Sequence, residues 1–593
     1  MNAHIKTILH HHLYDPARLL NILHALQNKW GYLPDEIVNE TAGLLSIPVS
    51  HIQGVIDFYS FFHSQPVAQY QILLSNCIID INQGQRHVKE LFCQQLNMAI
   101  DQPREDGLVS LAETSCTGLC DQGPAALING VAIPALNEKR INTIVKLIKE
   151  QRPLNDWPLA LFQINDNIYK PDFLLNNPLT AGSAITTLLS QGADKTLSDI
   201  EQSGLRGRGG AGFATASKWR FCRQAIADEH FVVCNADEGE PGTFKDRLLL
   251  NKFADQLFEG MTVCARIIGA QRGFVYLRAE YLFLLEKLER TLTQRREDKL
   301  LGQRISGIDG FDFDIEIRLG AGAYICGEES ALLESLEGKR GIPRIRPPFP
   351  VTHGYLGKPT VVNNVETFIA AAKITADGHK SFQQLGTAQS SGTRLLSISG
   401  DCSKPGIYEY PFGTSITTIL DDCQASDTSF VQIGGPSGTM VDKNSFQRTI
   451  CFEDLPTGGS FMIFNHSRDP LETALNFSHF FAHESCGFCT PCRVGTSLIK
   501  KLLDKINNGL GSQQDILELD KLCHLIQQNS HCGLGQTATN PVRDTLNIFD
   551  DVYKTRINNR KFSADFDLEA SLQEARQLTQ RDDPAAHLEQ FDS

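Results

Sequence analysis

The sequence lacks several features that would place it in a common functional class. No stretch approaches the roughly 20 continuous apolar residues of a membrane-spanning helix. The first residues contain neither the long apolar core nor the small-residue cleavage site of a signal peptide. Basic residues are not in excess, because the formal net charge is −14, and this argues against a nucleic-acid-binding protein. Together these absences predict a soluble, cytoplasmic protein.

Hydrolase motifs are missing as well. The chain has no nucleophile elbow, no HExxH and no complete Walker A motif, and no repeat of 20–50 residues that would indicate a solenoid or propeller. The length of 593 residues, at roughly 150 residues per domain, instead predicts about four globular domains.

Changes in periodicity along the chain predict a multidomain α/β protein. Helical spacing of apolar residues gives way to mixed strands and helices, then to strands that run into Gly-containing loops, then to short strands and finally to helices. The predicted units are a helical part at 1–65, a mixed part at 66–151, a Pro- and Asn-rich linker at 152–180, an α/β domain at 181–395, a small mainly β domain at 396–470, a helical domain at 471–562 and an acidic tail at 563–593.

The cysteine pattern near the C-terminus is the sharpest local feature. Disulfides rarely persist in a cytosolic chain, so the 16 cysteines need another explanation. Cys486, Cys489 and Cys492 are spaced at i, i+3 and i+6, and Cys532 follows forty residues later. Three close thiolates and one remote thiolate are typical of a cubane [4Fe–4S] cluster.

Three alternatives remain at this point. The thiols could be buried side chains that bind no metal. Zinc could occupy the site, although structural zinc more often uses two separated CxxC pairs. Cys523 could be the fourth ligand, but it lies in a helical run. We prefer Cys532, because Gly533 and Gly535 would let backbone amides approach a cluster sulfur.

A Gly-dense loop at 204–218 is the first candidate phosphate site. Gly207, Gly209 and Gly212 fit GxGxxG, but the residues before them are polar and helix-like, whereas a dinucleotide-binding fold needs a strand there. Backbone N–H groups, the loop arginines and Lys218 could still hold a phosphate. The alternative is a tight turn.

Carboxylates and amides follow several predicted strands. The carboxylates would repel a bare phosphate, but they would accept hydrogen bonds from the hydroxyl and ring N–H groups of a nucleotide or flavin. The amides could bond either phosphates or ring edges. The alternatives are magnesium ligation and solvated loops. The residues are Asn235, Asp237, Glu238, Glu240, Tyr324, Glu328, Glu329, Asn363 and Asn364.

These motifs, in this order, resemble the flavin subunit of NADH dehydrogenases, the 51-kDa subunit of respiratory complex I. The match covers roughly residues 180–540 through GLRGRGGAGF, KW, NADEGEPGT, GAGAYICGEE, PRIRPPFP, NNVET and SCGFCTPCRVGT. The resemblance implies an α/β domain that binds flavin mononucleotide (FMN) and NADH, a β-grasp-like domain and a C-terminal helical bundle with a [4Fe–4S] cluster.

The resemblance also implies site residues. For FMN they are Gly207, Arg208, Gly209, Gly210, Lys218, Asn235, Asp237, Glu238, Tyr324, Gly327, Glu328, Asn363, Asn364 and Thr367. For NADH they are Phe213, Phe221, Glu240, Glu329, Arg346 and Phe349, where position 346 is commonly lysine in the family. The cluster ligands correspond to Cys486, Cys489, Cys492 and Cys532. No catalytic general base is implied, because the cofactors carry the chemistry.

The first 150 residues resemble the 24-kDa partner subunit, which joins a helical part to a thioredoxin-like part. GYLPDEIV, DFYSFF and SCTGLCDQGPAALING carry this match. That family binds a [2Fe–2S] cluster with four cysteines. Here Cys77, Cys116 and Cys120 remain, whereas the fourth position is Asn82. A stable [2Fe–2S] cluster is therefore doubtful, and Asp80 or His87 is the candidate substitute ligand.

Fusion of both units resembles the flavin-containing diaphorase subunits of soluble NAD-reducing [NiFe] hydrogenases. The CxxC pairs of a nickel site are absent, so H₂ oxidation is expected on a partner. The implied partners are an iron–sulfur electron-transfer subunit and the [NiFe] hydrogenase subunits. The alternatives are the same module in complex I or in an NAD-linked formate dehydrogenase, or a non-catalytic scaffold subunit.

Overall fold

Four helices form the N-terminal unit of the computed structural model, which describes residues 2–558 and 568–582. Their apolar residues recur at helical spacing and are buried in one core. The helices are α1 (Asn2–His11), α2 (Leu19–Trp30), α3 (Asp35–Leu45) and α4 (Val49–Phe58).

A small mixed sheet follows, in the order β2-β1-β3-β4. Strands β1 and β2 are parallel, and β3 and β4 form the hairpin that the Asn-Gly pair predicts. Asn129 and Gly130 both have positive φ, 48° and 79°, as a two-residue hairpin turn requires. The elements are β1 (Tyr70–Ser75), α5 (Ile78–Asn82), α6 (Gln85–Leu96), β2 (Val109–Thr114), β3 (Ala126–Ile128), β4 (Val131–Ile133) and α7 (Glu138–Lys149).

The segment predicted as a linker contains a strand, β5 (Ile168–Lys170). Beyond it, four parallel strands in the order β8-β7-β6-β9 form the central sheet, with helices between them. The elements are α8 (Ser183–Gln191), α9 (Ala193–Gln202), α10 (Thr215–Gln224), β6 (Phe231–Ala236), α11 (Lys245–Lys252), α12 (Ala254–Ile268), β7 (Arg272–Leu277), α13 (Leu285–Glu297), β8 (Asp314–Leu319), α14 (Glu329–Leu336), α15 (Pro350–His353), β9 (Thr360–Asn364), α16 (Val365–Asp377) and α17 (His379–Gln383).

The mainly β unit is a mixed six-stranded sheet in the order β14-β13-β16-β10-β11-β5, so the former linker strand completes its edge. A separate two-stranded sheet pairs β12 with β15. The elements are β10 (Thr393–Gly400), β11 (Gly406–Pro411), β12 (Thr414–Ser415), α18 (Ile416–Asp422), β13 (Thr428–Ile433), β14 (Thr439–Asp442), β15 (Thr449–Ile450) and β16 (Ser460–Asn465).

Helices complete the chain: α19 (Pro470–Glu484), α20 (Thr490–Asn507), α21 (Gln513–Asn529), α22 (Gly533–Thr537), α23 (Asn540–Ile548), α24 (Asp550–Lys554) and α25 (Leu568–Thr579). Of the predicted acidic tail, 563–567 and 583–593 lie outside the described residues. The predicted multidomain α/β class, with a thioredoxin-like unit and a helical C-terminal unit, is confirmed.

The N-terminal helices pack directly against the central sheet. Tyr59 donates a hydrogen bond from its hydroxyl to Ser335 Oγ at 2.7 Å, and the Phe61 amide donates to the Ala321 carbonyl at 3.1 Å. One apolar cluster joins these helices to the sheet and to Cys492 and Cys532. This packing fixes the loop after β8, which forms part of the site described next.

Candidate functional site

A cavity of about 580 Å³ lies where the carboxyl ends of β6, β8 and β9 face the mainly β unit and α22. Ligand sites of open α/β sheets lie at this edge, and the volume is in the range of ligand pockets. Ten of the predicted residues line it: Gly209, Gly210, Asn235, Asp237, Glu238, Glu240, Tyr324, Gly327, Glu328 and Asn364. We call it the main cavity.

Acceptor groups in the main cavity are held in place by backbone contacts. Glu328 caps α14, because its Oε2 accepts from the Ser330 and Ala331 amides at 3.0 and 2.9 Å. The Asp237 backbone amide donates a hydrogen bond to Asn235 Oδ1 at 3.1 Å. The Oδ2 atom of Asp237, in contrast, is buried without a hydrogen-bond partner. Burial raises the pKa of Asp237 well above its usual range. A ligand with an N–H or O–H group would satisfy this oxygen.

Glu240 lies in the centre of a polar network on the cavity wall. Its carboxylate accepts hydrogen bonds from the Tyr324 hydroxyl and from the Ser437 amide at 2.9 Å. Burial raises the pKa of Glu240 to about 7. Its neighbour Glu238 also has a pKa raised by burial to about 7. The charge of this wall therefore changes near neutral pH.

Lys245 is a cavity residue that the sequence analysis missed. It is 1% exposed, and its Nζ lies 2.6 Å from Asp246 Oδ1, 3.0 Å from Glu366 Oε2 and 3.3 Å from Asn364 Oδ1. Lys245 therefore supplies a buried cation to a cavity lined by carboxylates. Its position, a few residues after the acidic loop and at the start of α11, was the available signal.

Other wall segments were also missed, because they come from units distant in sequence. The loops at 434–439 and 456–458 extend from the mainly β unit, and residues 533–540 come from the C-terminal helices. Only the tertiary fold brings these segments together with the Gly-dense loop.

Arg208 does not reach the main cavity with its side chain. It is 0% exposed, its guanidinium lies over the Phe412 ring at 4.6 Å, and its Nη2 donates to the Ser391 carbonyl at 3.1 Å. Its amide donates to Thr367 Oγ1 at 2.9 Å, which fixes the loop. The Asn363 side chain also bonds within the protein, since its Oδ1 accepts a hydrogen bond from the Trp219 indole N–H at 2.8 Å. Gly207 pairs with the Phe213 carbonyl. These predicted residues support the wall rather than line it.

Outside the cavity, the predicted FMN residue Lys218 joins the predicted NADH residues Glu329 and Arg346 in a charged chain, and three predicted NADH rings are exposed. Lys218 Nζ lies 2.9 Å from Glu329 Oε2, and Arg346 Nη1 lies 3.3 and 3.4 Å from the carboxylates of Glu328 and Glu329. About half of each ring is exposed at Phe213, Phe221 and Phe349, with 51%, 49% and 52%. Exposed aromatic rings of this kind are available for stacking on a base.

The four predicted cluster cysteines line one small cavity, together with Ile325, His531 and Leu534. Cys523 is not among them, because it is fully buried between the helices of the C-terminal unit. Burial raises the pKa of Cys492 to about 12 and that of Cys532 to about 11.

The spacing of these thiols favours a cluster over a single ion. Tetrahedral zinc with Zn–S bonds of about 2.3 Å would hold its sulfurs about 3.8 Å apart. Among the described residues, no three of Cys486, Cys489, Cys492 and Cys532 have their sulfurs within 4.8 Å of one another. This arrangement is wider than a single tetrahedral ion would give.

A second thiol group lies in the thioredoxin-like unit. Cys77, Cys116 and Cys120 are buried, and their sulfurs all lie within 4.8 Å of one another. Neither predicted substitute joins them. Asp80 accepts hydrogen bonds from Ser75 Oγ at 2.6 Å and the Ala125 amide at 3.0 Å, and His87 is exposed.

Comparison with known proteins finds three families that match separate parts of the chain. Residues 200–373 match the Nuo51 FMN-binding domain, residues 5–149 match the thioredoxin-like [2Fe–2S] ferredoxin family, and residues 472–556 match the NADH-ubiquinone oxidoreductase-F iron–sulfur binding region. The NAD-reducing hydrogenase HoxS subunit alpha of Cupriavidus necator is 41% identical over 96% of this chain and 98% of that relative.

The chain belongs to the family of NAD-reducing hydrogenase alpha subunits.

A further relative is similar to part of the chain, and a solved structure is similar to nearly all of it. A NADH-quinone oxidoreductase subunit of Rhizobium meliloti is 38% identical over 67% of this chain and 97% of that relative. The crystal structure of NAD⁺-reducing [NiFe]-hydrogenase in the H₂-reduced state includes a chain that matches with a TM-score of 0.87 and 41% identity, over 96% of this chain and 98% of that chain. No helix in the described parts of the chain has the length and apolar character needed to cross a membrane.

Proposed function

We propose that the chain is a cytoplasmic diaphorase subunit that exchanges electrons between NAD(H) and a partner hydrogenase through FMN and one [4Fe–4S] cluster. The observation that carries this proposal is that Ile325 and Leu534 line both the main cavity and the four-thiol cavity. A two-electron carrier and a one-electron carrier would thus be separated only by apolar side chains.

The residues of the main cavity fit a flavin nucleotide. When bound, FMN supplies the exchange between a hydride and single electrons. Gly209 and Gly210 leave room for a ligand close to the backbone. Asp237 and Asn235 present acceptors and amides, and Lys245, which is held by Asp246 and Glu366, adds a buried ammonium donor to the wall.

The proposed nicotinamide nucleotide site combines Glu240 on the cavity wall with the exposed rings and with Glu329 and Arg346. Lys218, from the predicted FMN set, pairs with Glu329 and so joins the two sites. The rings supply stacking surface, and the charged chain holds its own geometry through ion pairs. Glu240 is held by Tyr324 and Ser437, so its carboxylate has a fixed position beside the bound nucleotide.

The partners follow from the family. The relative with 96% coverage of this chain is named as part of a NAD-reducing hydrogenase, whereas the NADH-quinone oxidoreductase relative from Rhizobium meliloti covers 67% of it. We therefore assign an iron–sulfur electron-transfer subunit and [NiFe] hydrogenase subunits as partners, rather than complex I.

Gly209→Trp tests the site. Asn364 Cβ lies 3.4 Å from the position of an added Cβ at Gly209, so an indole has no room beside it without entering the cavity. We expect the variant, co-expressed with the partner subunits, to lose bound FMN and the reduction of ferricyanide by NADH. Gly43→Trp is the matched control, because Gly43 is exposed with nothing within 4 Å. Full FMN occupancy in Gly209→Trp would refute the site.

A further inference from the structure

The three-thiol group of Cys77, Cys116 and Cys120 has a geometry of its own. The Cys116 and Cys120 sulfurs are 3.2 Å apart, and those of Cys120 and Cys77 are 3.9 Å apart. The three side chains are between 0% and 4% exposed. Buried thiols that converge on one point, rather than packing separately among apolar side chains, are typical of a metal site.

A two-iron cluster does not fit this group. Such a cluster needs four ligands, two on each iron, and the fourth position is Asn82, which ends helix α5. Within the described part of the chain, the group inside 4.8 Å contains only the three thiols and no carboxylate or imidazole. The sulfurs also converge more closely than ligands that are divided between two irons.

We propose that Cys77, Cys116 and Cys120 bind one thiophilic divalent ion, of which zinc is the type, in place of a [2Fe–2S] cluster. Zn–S bonds of about 2.3 Å place sulfurs about 3.8 Å apart, between the two distances observed here. The fourth position of the tetrahedron is left for a water molecule or a small anion, as at other zinc sites with three protein ligands.

Buried ion pairs surround such a site. Binding as thiolates releases three protons to solvent, and three thiolates with one divalent cation carry a net charge of −1. Two buried arginines contact the cysteine loop. Arg278 Nη2 donates to the Cys116 carbonyl at 2.8 Å, and Arg247 Nη1 donates to the Gly118 carbonyl at 2.8 Å. Each arginine is also paired with a buried carboxylate, Arg278 with Glu280 at 2.6 Å and Arg247 with Asp121 at 3.1 Å, so the arginines anchor the loop without adding net charge.

The same arginines connect the proposed ion site to the wall of the main cavity. Arg278 Nη1 also donates to the Glu238 carbonyl at 2.5 Å, and the Tyr281 hydroxyl donates to Glu238 Oε2 at 2.9 Å. The ion would tie the cysteine loop together, and the loop in turn supports the wall of the main cavity. Because zinc has no redox chemistry, the site would stabilise this wall without accepting electrons.

Metal and sulfide analysis of the full-length chain tests the proposal. The protein is produced with iron–sulfur assembly factors and both metals in the medium, and purified without oxygen. We expect about one zinc per chain, with about four irons and four sulfides from the C-terminal site. Cys120→Ser should lose the zinc and keep the iron. Cys93→Ser, a half-buried thiol of the same unit outside the group, should keep both.

Asn82→Cys provides the opposite test. It completes the four-thiol set, so we expect about two additional irons and sulfides and loss of the zinc. A wild-type chain with about six irons and a two-iron EPR signal would overturn the proposal. A wild-type chain with three free thiols and no zinc would overturn it as well. Unchanged iron in Asn82→Cys would contradict the claim that the missing fourth thiol is what prevents a two-iron cluster.

Discussion

The two thiol sites adjoin the same cavity through different kinds of contact. The C-terminal site reaches it through the apolar side chains of Ile325 and Leu534. The N-terminal site reaches it through Arg247 and Arg278, which connect the cysteine loop to the Glu238 loop. The first contact is made by apolar side chains that line both cavities, whereas the second is a buried ionic network that supports the wall. One fold thus uses cysteine clusters for transfer in one unit and for structure in another.

The largest expected effect concerns the C-terminal four-thiol site, which is proposed for electron transfer. Cys489→Ala should reduce the iron content from about four per chain to near none, because a cubane that lacks one corner ligand is not retained. Cys523→Ala is the matched control, since Cys523 is buried outside the four-thiol cavity. Iron analysis checks both variants, and equal loss of iron in the control would mean that the ligand set is wrong.

The next largest effect concerns the ionic network beside the three-thiol group. Arg278 is 3% exposed and pairs with Glu280 at 2.6 Å. Arg278→Met leaves this carboxylate and the Cys116 carbonyl without their partner, so the free energy of unfolding should fall by about 3–5 kcal/mol. Urea denaturation of the purified chain measures this. Lys287→Met is the control at an exposed position, and a loss below about 1 kcal/mol for Arg278→Met would show that the network contributes little.

Glu240 tests the cavity wall between the two sites. Its pKa is raised to about 7 by burial, so it ionises as the pH rises through 7. The ionised carboxylate attracts the positive nicotinamide of NAD⁺ but not the neutral ring of NADH. We expect NAD⁺ to bind about tenfold more tightly above this pH than below it, on the scale of one pKa unit, with NADH nearly constant.

Glu240→Gln should remove this pH dependence and leave the FMN content unchanged, as titrations with each nucleotide at pH 6 and 8 would show. Glu229→Gln, at an exposed position, should retain the dependence. If FMN dissociates from Glu240→Gln while both nucleotides keep their affinity, Glu240 belongs to the flavin site instead.

Tyr324→Phe should give the smallest effect. The hydrogen bond from the Tyr324 hydroxyl lowers the pKa of Glu240 and partly opposes its rise on burial. Without that bond the pKa should move above 7, so the pH midpoint of NAD⁺ binding should move upward by less than about one unit. A downward movement would contradict the assigned donor and acceptor.

Local patterns predicted the parts of the site whose chemistry lies within one segment. Cys532 could be chosen over Cys523 because glycines flank the first and a helical pattern surrounds the second, and the structure brings Cys532 into the four-thiol cavity. The family and the fold class were predicted from ordered motifs and are confirmed. Lys245 was missed, because its partners Asn364 and Glu366 lie over a hundred residues away in sequence.

The direction of a side chain was the second feature of the site that the sequence did not predict. The motif that contains Arg208 predicted a loop near phosphate, but its guanidinium turns into the core towards Phe412. A residue list cannot show this, because it depends on packing against the mainly β unit. The strand at 168–170 was read as linker for a similar reason, since a three-residue strand becomes visible only once β11 pairs with it.

Anaerobic titration of the full-length chain with NADH tests the central claim most directly, when flavin absorbance and low-temperature EPR are followed together. We predict that the wild-type chain shows flavin bleaching and the signal of one reduced four-iron cluster, and that Cys489→Ala shows the bleaching alone. A cluster signal that persists in Cys489→Ala, or a wild-type chain whose flavin is reduced while no cluster signal develops, would contradict the account.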